Sequence, residues 1–220
     1  MQTLPIGPTE TETATLRRAA LIGLGGACIT LAGGTLAQVM RGSSSVFTDQ
    51  WSFPFGPGAH ILLSVLWMAS HLMLFVGLAG IRRSTLVGER RTGVVGIDLA
   101  LAGTALLAVG EVASMCLANA TEDSGGAIAV GSVFGIGTLL TAVGMVMVGV
   151  VVLRGRRWTG PSAAAPLVFG LVNVGQLVLG PTDLFHVGII AYGLAAAWLM
   201  GAFVREIATS SPTPGRGEAA

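Results

Sequence analysis

The chain has 220 residues, of which 52% are hydrophobic and 10% charged, with a mean hydropathy of +0.78, where a soluble domain carries about 25% charged residues. That composition excludes an ordinary water-soluble domain and points to an integral membrane protein. The formal net charge of +1 leaves no basic surface, and no nucleic-acid partner is expected.

Residues 1 to 14, with their Thr, Glu and Pro, read as a disordered tail. Arg17 and Arg18 then lead into a first apolar run, 18 to 40. Its outline is that of a signal peptide, but the run is long and more follow, so a first transmembrane helix is expected. Next comes "DQWSFPFGPGAH", residues 49 to 60, which joins two prolines, three aromatics, an acid and a histidine in one loop. Further apolar runs cover about 58 to 80, 94 to 118, 126 to 153, 162 to 180 and 184 to 204. Residues 207 to 220 read as a second disordered tail. Backbone polar groups cannot stay unpaired in lipid, so six helices are expected, and no alternating ten-residue segments suggest a barrel. The predicted fold is all-α: a single bundle of six transmembrane helices within residues 15 to 206, neighbours antiparallel, with no separate soluble domain.

All twelve basic residues are arginine, and eleven fall on one side of these runs; only Arg41 falls on the other. The positive-inside rule then places both termini in the cytoplasm and the chain in the cell membrane. Cys28 and Cys116 have no metal or redox spacing and read as small core residues. Gly193, Ala197 and Gly201, and Gly131 with Gly135, recur at four-residue intervals and read as packing faces.

Ionisable groups inside a span mark a functional site or a buried pair. Asp98, near the cytoplasmic end of the third span, reads as an anchor for Arg90 or Arg91. Glu111 lies deeper, with Thr104 and Ser114 on nearly the same face. Desolvation disfavours a charged carboxyl at that depth, so Glu111 is the candidate for a protonated acid. In the second span His60, Ser64, Trp67 and His71 fall within one narrow arc, which should face the bundle interior. His186 opens the sixth span, and Asn173 with Gln176 are neighbours on the fifth. Three histidines do not make a two-haem site, and the depths of His71 and His186 do not suit one haem. A metal bound by His60, His186 and Glu111 or Asp183 remains open, but no cofactor and no metal are assigned.

These groups crowd the outer half of the bundle, and an outward-facing polar cavity is inferred, with Trp51, Phe53 and Phe55 of the loop as its lid. The expected partners are membrane lipids and a lipophilic small molecule. Acid-initiated cyclisation of an isoprenoid needs only a protonated carboxyl, an apolar mould and aromatic faces for the cation. Glu111 is the acid in this scheme, Asp183 a second candidate, and His71 the base for the final proton. Trp51, Phe53, Phe55, His60, Ser64, Trp67, Ser114, Asn173, Gln176 and His186 line the substrate. Two alternatives are a non-catalytic lipid- or partner-binding subunit and a small transporter; the latter needs a polar path to the cytoplasm, where little but Asp98 is available.

In size, hydropathy and sparse buried carboxylates the chain resembles the small integral-membrane terpene cyclases. That resemblance implies lyase or isomerase chemistry on an isoprenoid, but it matches no motif residue by residue. Those enzymes commonly have seven spans and a pair of acids, so no catalytic residue is carried over. The stretch "DQWSFPFGPGAHILLSVLWMASHLMLFVGLAG" is similar to the first outer loop and second helix of uncharacterised six-helix membrane proteins of high-GC bacteria, which names no function.

Overall fold

The computed structural model describes residues 9–84, 86–88, 90–180 and 182–210. Six α-helices follow one another: α1 Glu10–Arg41, α2 Pro57–Arg83, α3 Arg91–Met115, α4 Gly125–Gly155, α5 Ala165–Leu179 and α6 Phe185–Ser210. A 3-10 turn, Gly160–Ala164, leads into α5. With that turn counted into α5, all six are long and apolar enough to cross a membrane. The all-α fold of six spans is therefore the one observed, and the protein is a multi-pass membrane protein.

Local chemistry fixes the helix ends. The Glu12 N–H donates to the Thr9 side chain at 3.3 Å and the Thr9 N–H to the Glu12 carboxylate at 2.8 Å, a capping box that satisfies two end donors at once. Helix α1 thus starts at Glu10, well before residue 18, and residues 10 to 14 are its first turn rather than part of a disordered tail. Residues 1–8 and 211–220 of the two expected tails lie outside the described residues, while α6 continues past residue 204 to Ser210. Pro57 opens α2, where its missing N–H costs nothing. Ser124 caps α4 by accepting the Ala127 N–H at 3.3 Å.

Each helix packs on the next in chain order, and α6 returns to pack on α1, so the six form a closed ring. The tightest seam is α3 on α4, where glycines let the backbones meet. A methyl added at Gly103 would stand 2.5 Å from the Gly137 carbonyl oxygen, one at Gly96 2.7 Å from that of Gly144, and one at Gly110 2.9 Å from the Phe134 ring. Gly193 packs on Leu31 and Ala197 against the core, as their spacing suggests. Gly131, Gly135 and Gly201 do not follow: a methyl there would meet nothing within 4 Å. A four-residue interval says that residues share a face, not which face, and these three point away from neighbouring helices.

Leu74, Leu78, Ile97, Met145, Val148, Phe169, Leu199, Met200 and Phe203 fill the core. Val39, Leu62, Val109, Ile128, Val178 and Leu194, one from each helix, are each more than half exposed, as surfaces solvated by lipid require. Cys28 and Cys116 are also exposed, free thiols rather than small core residues. Asp98 accepts from Arg82 Nε at 2.8 Å, not from Arg90 or Arg91; the last turn of α2 lies beside the first turns of antiparallel α3, which brings Arg82 to it. At the same end the buried Glu206 accepts from the Thr159 N–H at 3.1 Å and its hydroxyl at 3.0 Å, and Trp158 stacks on Phe203 with centroids 6.4 Å apart.

Candidate functional site: a carboxyl–imidazole pair beneath a cap

The polar stripe of α2 faces the ring interior. His60 Nε2 lies 3.1 Å from Ser114 Oγ of α3, and the Trp67 indole occupies the space that Gly33 of α1 leaves open. His71 meets two helices, with Nε2 3.8 Å from Glu111 Oε1 of α3 and its ring edge-on to Tyr192 of α6, centroids 6.3 Å apart. Cα–Cβ bonds tilt toward a helix's own N-terminus, so on the antiparallel α2 and α3 the His71 and Glu111 side chains lean toward each other.

Both members of this pair are shielded, with side chains 12% and 8% exposed. Their 3.8 Å separation exceeds a hydrogen bond, so neither group is locked by the other. The other ring nitrogen of His71, Nδ1, has no protein partner, and neither do the Ser64 hydroxyl and the Trp67 indole nitrogen, all of them buried. Purely structural polar groups in a hydrocarbon-embedded bundle should satisfy one another, because each unmet group costs about 1–3 kcal/mol.

One turn along α3 from Glu111, Ser114 receives the loop that joins α1 to α2. Trp51 Nε1 donates to Ser114 Oγ at 2.8 Å; an indole can only donate, which leaves the serine proton for His60. The loop is clipped to the α3–α4 connection by the Trp51 N–H donating to the Ala120 carbonyl at 3.0 Å and the Glu122 N–H to that of Asp49 at 2.8 Å. Within it Ser44 Oγ donates to the Pro54 carbonyl at 2.7 Å, and Phe55 is buried against Ala37 and Leu63. Arg41 lies over the Phe53 ring, 6.0 Å from its centroid, and forms an ion pair with Asp183. The loop is a cap. Beside the clip, partial burial and then the neighbouring Asp49 push the Glu122 carboxyl above its usual range.

The structure joins Trp51 and His60 to Ser114, and His71 to Glu111; Ser64 is buried on the same stripe of α2, Trp67 packs against Gly33 of α1, and Phe53 and Phe55 lie in the cap. Asp183 is not a second acid at this site: its side chain is 92% exposed and paired with Arg41. Gln176 ties α5 to α6 by donating to the Gly188 carbonyl at 3.0 Å, whereas Asn173 donates to Phe169 of its own helix at 2.8 Å. His186 is buried with its ring against Phe185, 5.4 Å between centroids. No group of three metal-binding side chains occurs among the described residues. Tyr192 and Phe169, whose rings lie 5.2 Å apart, were not singled out from sequence. The available signal was that Tyr192 is the single tyrosine of the chain, a polar-tipped ring set inside an apolar run.

Glu111 does not line an open, outward-facing cavity; it is buried beneath the cap. Two grooves of about 510 and 380 Å³ lie elsewhere, one along Cys28, Leu31, Thr35 and Val39 and the other between Leu16, Ile22, Phe75 and Arg83. No protein-family model matches the chain, and no curated protein and no solved structure matches it. What the site does must follow from its own geometry.

Proposed function

We propose that the protein is a membrane-embedded acid–base enzyme acting on a lipophilic substrate, with proton-initiated isoprenoid cyclisation as its reaction. One observation carries this: Glu111 faces Nε2 of His71 at 3.8 Å while Nδ1, on the other edge of the ring, has no protein partner. In the proposed cycle the Glu111 carboxyl donates its proton to a substrate alkene, leaving a carboxylate and a carbocation. Ring closure moves the cation along the chain, and the faces of Trp67, Phe169 and Tyr192 stabilise it. His71 Nδ1 removes a proton from the carbon beside the final cation, whose C–H electrons become the product's double bond. The imidazolium then returns the Nε2 proton to Glu111, which restores the acid; loss of the Nδ1 proton to water as product leaves, with reprotonation at Nε2, restores the base.

The cap supports this reading because a carbocation must be kept from water. The capped end faces outward in this proposal, and both termini are cytoplasmic in the cell membrane; the arginines at the opposite end support that orientation. A second reading, a non-catalytic lipid- or partner-binding subunit, is favoured by the two grooves on the surface of α1, which lie away from Glu111. A transporter has less support, since apolar Leu74, Met145, Phe169 and Leu199 fill the ring between the pair and Asp98.

The test is to incubate membranes containing wild-type or Glu111→Gln protein with linear and epoxidised prenyl compounds. Cyclic product from the wild type and a loss of at least a hundredfold in the variant are expected, in line with general acid catalysis. Equal product from both would remove Glu111 from the role of acid.

A further inference from the structure

Resting on that reading of the site, we propose that Asn173 and Tyr192 form a subsite that takes the hydroxyl group of an uncharged lipophilic alcohol. Asn173 is 0% and Tyr192 5% exposed. The amide nitrogen of Asn173 is turned back to its own helix, donating to the Phe169 carbonyl at 2.8 Å. That bond fixes the amide orientation, because a carbonyl could not accept from a carbonyl, and it makes Oδ1 the free end. Oδ1 and the Tyr192 hydroxyl are both buried with no protein partner.

Tyr192 borders both the acid–base pair and the turn of α5 that carries Asn173. The Tyr192 ring is 5.2 Å from that of Phe169, the residue whose carbonyl holds Asn173, and 6.3 Å from that of His71. The chemistry required of the ligand follows from the atoms presented. Asn173 Oδ1 only accepts, so the ligand must bring a donor; the Tyr192 hydroxyl can donate back to the same ligand oxygen. An alcohol or phenol satisfies both, whereas an ether or ester leaves Oδ1 unmet. A diphosphate is excluded on charge, since no arginine is buried among the described residues and Glu111 belongs to the pair that Tyr192 borders.

The experiment measures equilibrium binding of radiolabelled farnesol, a linear prenyl alcohol, to the full chain in phosphatidylcholine nanodiscs, with farnesyl methyl ether and farnesyl diphosphate as competitors. Wild-type protein is expected to bind farnesol saturably, with the ether about tenfold weaker and the diphosphate weaker still, since one hydrogen bond is worth about a factor of ten. Tyr192→Phe and Asn173→Leu should each weaken farnesol about tenfold, and Asp98→Asn, in the exposed pair with Arg82 at the other end of the bundle, should bind it as the wild type does. Tyr192→Phe removes only an oxygen and decides the matter if Asn173→Leu fails to fold. Absence of saturable binding, equal competition by the ether, or unaltered affinity in Tyr192→Phe would overturn the subsite. Failure of the acid role shows itself separately, as product formation unaffected in Glu111→Gln while farnesol binding stays sensitive to Tyr192.

Discussion

Alanine in place of glycine should have opposite effects at two positions that share a helix pair. At Gly131 of α4 a methyl meets nothing within 4 Å, so the substitution only removes backbone freedom and should stabilise by about 0.5–1 kcal/mol. At Gly103 of α3 the methyl would lie 2.5 Å from the Gly137 carbonyl oxygen and 2.6 Å from the Thr141 nitrogen. Both are backbone atoms that cannot rotate aside, so α3 and α4 must separate, at a cost of roughly 1–3 kcal/mol. The two variants should therefore differ by about 1.5–4 kcal/mol, or roughly 3–16 °C in Tm at the 2–4 °C per kcal/mol of a chain this size. Thermal unfolding of both in one detergent measures it. Equal shifts, or a Gly103→Ala protein more stable than wild type, would refute the close approach of α3 to α4.

Trp51→Phe removes the hydrogen bond to Ser114 and should cost about 1 kcal/mol, read as a lower Tm and as faster proteolysis at the loop of residues 42–56. Because the Glu122 carboxyl is raised by burial and by Asp49, its contribution to stability is complete below the ordinary glutamate range and is lost as pH rises through its folded-state value. Acidification from neutral pH should thus tighten the clip between the two loops, seen as larger amide-exchange protection factors at Trp51 and Glu122 after correction for the intrinsic pH dependence, and Glu122→Gln should abolish that rise. Glu206→Ala removes a buried carboxylate that accepts from the Thr159 N–H and hydroxyl and should destabilise by about 1.5–3 kcal/mol, the range for hydrogen bonds to a charged group, measurable by thermal unfolding, whereas Asp98→Ala at the exposed pair with Arg82 should cost less than about 1 kcal/mol.

The number and type of helices were legible because only helices of that length can cross lipid without unpaired backbone. The start of α1 was missed because Thr9 and Glu12 read as tail composition, although their spacing is that of a capping box. Periodicity gave the α2 stripe and its inward direction, and depth singled out Glu111. Which atoms meet was not legible. Asp183 and Glu111 are both acids near the same end, yet one pairs with Arg41 in the open and the other faces His71 under the cap. Gly131 and Gly193 have the same local pattern, and only the ring closure of α6 on α1 puts Gly193 against Leu31. Tyr192 joins the site for the same reason, through contacts with residues far away in sequence.

The most direct test of Glu111 and His71 as an acid–base pair is the deuterium content of the product formed in heavy water. With farnesol as substrate, wild-type protein should yield a cyclic isomer carrying one deuterium on carbon, delivered by Glu111 to the alkene, and Glu111→Gln should yield none. Absence of cyclic product from the wild type, or product without carbon-bound deuterium, would contradict the proposal.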